Sequence, residues 1–255
     1  MKNLLLRIFD VTGFYITKSF QYNHKSTFSI GDFTYSKILP TANFSPWLSD
    51  KAFMDIFPIA KKNSLVDIYR AYELWQLIEK QVSKFPHDYI LEIGVWKGGT
   101  GLVMSKKMEL LKASNPIYLA DTFTGVVKTS DKDTFYTGNE HHETSKQHVD
   151  QLLSTHTKQV NYSLLEGIFP DDTAHLIADD QQCCLCHIDV DVYDSAKDIV
   201  EWIFPKLTIG GIIVFDDYGF HFCTGVTRLV EEYRNHPDKI IIHNLNGHAL
   251  LIKTA

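Results

Sequence analysis

From residue 89 to residue 253 the chain alternates short apolar runs with stretches of helical periodicity, and this alternation restricts its fold most. The apolar runs cover residues 89–94, 117–120, 160–165, 184–190 and 211–215. Between them, apolar residues recur at helical spacing through about Lys112, then over 145–154, 171–178, 194–204 and 224–234. Two further strands, 239–243 and 249–253, flank Asn246-Gly247, a tight-turn signal. Strands separated by helices build a parallel sheet covered on both faces. The expected fold class is therefore α/β. It is a Rossmann-like doubly wound sheet, mostly parallel, with a C-terminal antiparallel hairpin strand and an N-terminal extension.

A helical pattern runs from Leu65 through Ile68, Tyr69, Tyr72 and Leu74 to Val82, with Ser64 as the expected cap and Pro86 as the stop. Residues 1–60 lack sustained periodicity and are rich in aromatics and turn formers, so they read as an extension serving as a lid or dimer contact. Residues 61–255 read as the main domain. At 255 residues and 44% hydrophobic content the chain needs no disulfides to hold a core. Its net charge of -6 argues against a general nucleic-acid binder. No apolar run approaches the roughly 20 residues of a membrane span. The N-terminal apolar run is cut by Arg7 and Asp10 and lacks a cleavage site. The expectation is a cytoplasmic protein that leaves room for a homo-oligomer. Cys183, Cys184, Cys186 and Cys223 read as buried reduced thiols, with Cys183 and Cys186 on opposite faces of an extended strand.

The chemistry gathers at the strand ends. The first turn reads Glu92-x-Gly94-x-x-x-Gly98-Gly99, a spacing unlike the dinucleotide fingerprint. Its glycines allow close approach of a ligand, and Glu92 suits one carrying an ammonium group, as S-adenosylmethionine does. Asp121 ends the second strand, where a carboxylate can accept both ribose hydroxyls. Glu166-Gly167 ends the third, where an adenine could lie. Asp189 and Asp191 end the fourth strand, and Asp216 and Asp217 the fifth. Spaced two apart on an extended end, Asp189 and Asp191 are expected to point the same way. Four carboxylates converging at one sheet edge call for protons or a cation. Oxygen donors alone select a hard ion, most simply Mg²⁺.

Six segments carry a family resemblance. They are Glu92-Ile-Gly-Val-Trp-Lys-Gly-Gly99, Asp121-Thr-Phe-Thr-Gly125, Gly167-Ile-Phe-Pro-Asp171, His187-Ile-Asp-Val-Asp-Val-Tyr-Asp-Ser195, Pro205-Lys-Leu-Thr-Ile-Gly-Gly211 and Phe215-Asp-Asp-Tyr-Gly219. In this order, across roughly residues 60–253, they resemble the macrocin O-methyltransferase family, which methylates sugars of macrolide and aminocoumarin antibiotics. The resemblance implies a class I S-adenosylmethionine-dependent O-methyltransferase with Mg²⁺ held by Asp189, Asp216 and Asp217. It implies Asp191 as the catalytic base. The expected cofactor contacts are Glu92, Gly94, Trp96, Gly98, Thr100, Asp121, Thr122, Phe123, Glu166, Gly167 and Asp189. The acceptor is expected to be a small molecule or glycan with adjacent hydroxyls. A catechol acceptor, a nicotinamide oxidoreductase, a metal-dependent hydroxylase related to cephalosporin hydroxylases and a non-catalytic module stand as alternatives.

Overall fold

The computed structural model describes residues 27–36, 38 and 42–255. In it the expected strands join in one seven-stranded sheet. The central strand is β3 (Tyr89–Ile93), buried along its whole length because helices cover both faces. It runs parallel to β4 (Ile117–Asp121) on one side and to β6 (Cys183–Ile188) on the other. Beyond β4 lies β5 (Tyr162–Glu166), and beyond β6 lies β7 (Leu207–Phe215), both parallel. The closing hairpin, β8 (Lys239–His243) and β9 (Ala249–Lys253), inserts β9 antiparallel against β7. The order is β5-β4-β3-β6-β7-β9-β8. The chain departs from β3 in one direction and returns on its other side at β6. That reversal is where doubly wound sheets open a crevice at their carboxyl ends.

Four helices cover one face: α1 (Lys51–Ala60), α2 (Ile68–Lys84), α3 (Gly99–Leu111) and α4 (Lys146–His156). Phe53, Leu74, Trp75, Leu102, Met104 and Val149 pack there with Ile90 and Val214. On the other face are α5 (Tyr193–Lys206) and α6 (Thr224–Tyr233), where Ile199, Ile203 and Val226 meet Leu91, Ile213 and Phe215. Among the described residues no helix is long and apolar enough to cross a membrane.

The compact unit carrying the sheet begins at residue 40, so it takes in α1, which lies inside the stretch read as an aperiodic extension. Pro58 within α1 and Pro46 before it disguise the helix in sequence. Asp50 caps α1 at Phe53 N and accepts the Trp75 indole N–H at 2.8 Å, anchoring the segment to α2. The preceding unit, residues 1–39, contains a hairpin of β1 (Phe28–Ile30) and β2 (Phe33–Tyr35). Residues 1–26, 37 and 39–41, on which much of the lid or dimer reading falls, lie outside the described residues.

Three further details differ from the sequence reading. Helix α2 is capped by Asp67, which accepts from Tyr69 and Arg70, and not by Ser64, so Leu65 precedes the helix and is exposed. The stretch 171–178 forms only a short 3₁₀ turn, Ala174–Leu176. All four cysteines are buried free thiols. A register irregularity between Cys183 and Leu185 brings Cys183 and Cys186 to the same side, with Cys184 on the other.

Candidate active site

The sheet register sets the acid cluster. Ile188 pairs with Phe215, and the ladder continues one residue past them. Asp189 N–H donates to Ile93 O at 2.9 Å and Asp216 N–H to Ile188 O at 3.0 Å. Carboxylate oxygens of Asp189, Asp216 and Asp217 thereby lie within 4.8 Å of one another. Asp191 arrives differently. Strand β6 has already ended at Ile188, and Asp191 adopts a left-handed backbone with φ of 66°. Its N–H donates to Asp217 Oδ2 at 2.9 Å. The two-residue strand spacing therefore does not align Asp189 with Asp191; a turn tied to Asp217 brings Asp191 in.

These acids are compensated unequally. Asp216 is ion-paired with Arg70 from α2, and its Oδ1 lies 2.9 Å from His248 Nε2. Burial raises its pKa, but His187, His248 and Arg70 outweigh that and hold the carboxyl well below the ordinary range. Asp189 and Asp217 are pushed well above that range by burial and then by neighbouring acids, which Arg70 only partly offsets. Burial also raises Asp191, against the stabilising contacts of Tyr136, His141 and Cys223.

A cavity of about 610 Å³ opens over the cluster at the carboxyl ends of β3, β4 and β6. Of the expected site residues, Gly94, Trp96, Thr100, Asp121, Thr122, Gly167, Asp189, Asp191, Asp216 and Asp217 line it. Gly94 must be glycine, because a Cβ there would lie 1.7 Å from the Asp189 carbonyl oxygen. Asp121 accepts from Trp96 N–H at 2.7 Å and Phe123 N–H at 2.6 Å, so it braces both turns that frame the cavity. The Trp96 indole Nε1 is buried without a hydrogen-bond partner. Four expected cofactor residues lie outside this cavity. Glu92 shares the α3 face with Ile90, is fully buried, and its Oε1 accepts from His187 Nδ1–H at 2.9 Å. Gly98 caps α3 with φ of 87° and packs on Val149. Phe123 and Glu166 line a separate cavity with Lys146, Asp150 and Tyr162.

A family model described as macrocin-O-methyltransferase (TylF) matches residues 58–246. The chain belongs to the macrocin O-methyltransferase family. It is 25% identical over 191 residues to demethyldecarbamoylnovobiocin O-methyltransferase of Streptomyces niveus, covering 69% of each chain. It is 26% identical over 187 residues to mycinamicin III 3''-O-methyltransferase of Micromonospora griseorubida, covering 68% of this chain and 70% of that one. The solved O-methyltransferase NovP superposes with a TM-score of 0.64 at 22% identity, over 76% of this chain and 83% of its own. The protein is thus an O-methyltransferase with the fold of the S-adenosylmethionine-dependent class.

Several residues of this O-methyltransferase site escape the sequence reading. Arg70 sits on an amphipathic helix 146 residues from its partner Asp216, and nothing local marks it as buried. Tyr136 bonds Asp191, and burial keeps its phenol protonated. Cys223 Sγ lies 3.6 Å from both Asp191 and Asp217. His141 Nε2 is 3.9 Å from Asp191 Oδ2, and its ring meets those of Trp96 and Tyr136, so the Glu140-His141-His142 loop forms part of the cavity wall. Leu65, Phe135, Phe220 and Phe222 line the same cavity with apolar surface. The sequence does cluster histidines and aromatics after residue 134, among them Phe135, Tyr136, His141 and His142.

Proposed function

We propose that this enzyme methylates one hydroxyl of a vicinal diol, on a sugar of a natural product or glycan, with S-adenosylmethionine as donor and Mg²⁺ as cofactor. The two relatives act, by their names, on demethyldecarbamoylnovobiocin and on the 3'' position of mycinamicin III. One observation carries the reading: the Asp191 carboxyl, with raised proton affinity, opens into the same cavity as the three-aspartate set.

The residues fit both groups. Asp189, Asp216 and Asp217 offer oxygen donors only, and Arg70 compensates two of the three only partly. When bound, Mg²⁺ lowers the pKa of a coordinated hydroxyl. For the donor, Gly94 and Gly167 leave room for close approach, Asp121 offers its remaining lone pairs to a ribose, and Trp96 Nε1 is a donor without a partner. S-adenosylmethionine, when bound, brings an electrophilic methyl group. Asp191 then accepts the acceptor hydroxyl's proton, with a pKa displaced by burial toward the working range of a general base. Tyr136 donates to Asp191 and fixes its orientation. Trp96, Phe135, Tyr136 and Phe220 shield the reacting groups from water.

The test is a product assay with S-adenosylmethionine against a panel of sugar diols and catechols, with and without EDTA. Methylated sugar, lost in EDTA and restored by Mg²⁺, is the expected result. Turnover unaffected by EDTA would remove the metal, and methylation of catechols alone would remove the sugar.

A further inference from the structure

Around Asp216 lies a buried set of groups to which the proposed methyl transfer assigns no role. His187, near the end of β6, is fully buried. Its Nδ1 is 2.9 Å from Glu92 Oε1. Its Nε2 points at Asp216 Oδ1 from 3.5 Å, too far for a good hydrogen bond, and has no partner. His248, just before β9, is also fully buried. Its Nδ1 is 2.5 Å from Glu73 Oε2 and its Nε2 2.9 Å from Asp216 Oδ1. Both Nε2 atoms and a carboxylate oxygen of Asp216 lie within 4.8 Å of one another.

A neutral imidazole carries one N–H and one lone pair. Here all four ring nitrogens face carboxylate oxygens. His187 Nε2, too far from Asp216 Oδ1 for a good hydrogen bond, is the ring nitrogen left over. A divalent ion uses all three atoms: each ring keeps its proton on Nδ1 for its glutamate and turns the Nε2 lone pair inward. Carboxylate, histidine and metal in series is the usual way a metal-binding imidazole is oriented. The 3.5 Å between His187 Nε2 and Asp216 Oδ1 is close to the roughly 3.4 Å edge expected for bonds of about 2.1 Å to a tetrahedral ion, and the 2.9 Å at His248 is shorter. Arg70 pairs with Asp216 Oδ2 and leaves Oδ1 to the histidines.

We propose that His187, His248 and Asp216 form a second, buried site for a borderline divalent ion such as Zn²⁺, with Glu92 and Glu73 as its orienting partners. Nitrogen donors distinguish it from the oxygen-only set facing the cavity. The ion would tie together α2, β3, β6, the end of β7 and the residue before β9, which gives it a structural role.

Cobalt reports this site independently of methyl transfer. Full-length protein is stripped with EDTA, exchanged into chelator-free buffer and titrated with Co²⁺. We expect one equivalent bound with the intense visible absorption of a low-coordinate, nitrogen-ligated ion, displaced by Zn²⁺. The band should persist in the Asp189→Asn, Asp217→Asn double variant and vanish in His248→Gln. If His248→Gln does not fold, Glu73→Gln keeps all three ligands and should weaken Co²⁺ binding roughly 10–100-fold. The proposal is overturned by no band, by a band that survives His248→Gln, by one lost in the double aspartate variant, or by unchanged affinity in Glu73→Gln. Mg²⁺-dependent turnover, measured separately, tests the proposed function without touching this result.

Discussion

Asp216 and Asp217 are neighbours in sequence, 2% and 5% exposed, and stand in opposite electrostatic surroundings. Arg70 and two histidine–glutamate pairs close around Asp216. Asp217 faces Asp189 and Asp191, and its nearest donors are a backbone N–H and a thiol. One half of the acid cluster is thus built into the protein, and the other half is left short of positive charge where the cavity opens. Burial alone does not separate the two roles; the partners do. A carboxylate with its own cations supports the frame, whereas one without them has work for a proton or an incoming cation.

The largest effect expected from this division is on turnover. Asp191→Asn removes the carboxyl that opens into the cavity and leaves the Asp216 side intact. Activity should fall roughly 10²–10⁴-fold, the usual worth of a positioned base, while Mg²⁺ and donor affinities stay near wild type. A pH–rate profile at saturating Mg²⁺ checks it. Near wild-type turnover at neutral pH would strike Asp191 from the catalytic role.

Stability should split the two neighbours next. Asp216→Ala strands Arg70 and two buried imidazoles, and should cost about 3–5 kcal/mol, the range for breaking a buried ion pair from one side. Asp217→Asn removes a repelled charge, so the metal-free protein should hold its stability or gain some. Urea denaturation in EDTA measures both. Equal losses in the two variants would erase the distinction.

How far this division could be read from sequence depends on range. Convergence of the four acids was legible, because strand ends of neighbouring parallel strands share a level, as Ile188 and Phe215 do. The closing hairpin was legible from its alternation and from Asn246-Gly247. What set Asp216 apart was not. Arg70 looks like an ordinary polar position on α2, and Glu73 and His248 stand 175 positions apart in the chain. Glu92 stands apart for a related reason. Its place in a glycine-rich turn motif suggested a ligand, but strand alternation turns it onto the α3 face with His187. Leu65 erred the other way, being apolar at helical spacing yet part of the cavity wall. The left-handed turn at Asp191 breaks the two-residue strand period and carries no local marker.

Asp121 provides an intermediate case. Burial raises its pKa, and backbone N–H groups of Trp96, Phe123 and Val95 relieve it more than the nearby His141 does. Asp121→Ala should weaken S-adenosylmethionine binding by about 1.5–3 kcal/mol, as for loss of a charge-assisted hydrogen bond. Calorimetry decides, and unchanged affinity would separate this aspartate from the donor site.

The smallest effect, on thermal stability, tests the division through its pH dependence. Asp189 and Asp217 have folded-state pKa values raised above the unfolded value of about 3.9. The folded state therefore binds their protons more tightly than the unfolded chain does. Their favourable contribution is complete below the unfolded pKa and is lost as pH rises through the folded values. Asp216 is lowered, so its contribution is present above about pH 3.9 and is lost only as pH falls through its folded value. Between weakly acidic and neutral pH the slope from this cluster thus belongs to Asp189, Asp217 and Asp191, which burial also raises. Mg²⁺ takes the place of their protons, so its stabilisation should grow with pH. At five times its dissociation constant the ion adds about 1 kcal/mol, or roughly 2–4 °C for a domain of this size. The measurement is Tm in Mg²⁺ minus Tm in EDTA across that range, a difference in which titrations unrelated to the ion cancel. Asp217→Asn should flatten it. A difference that shrinks as pH rises, or one that survives Asp217→Asn intact, would mean that the unpaired half of the cluster is not where the ion acts.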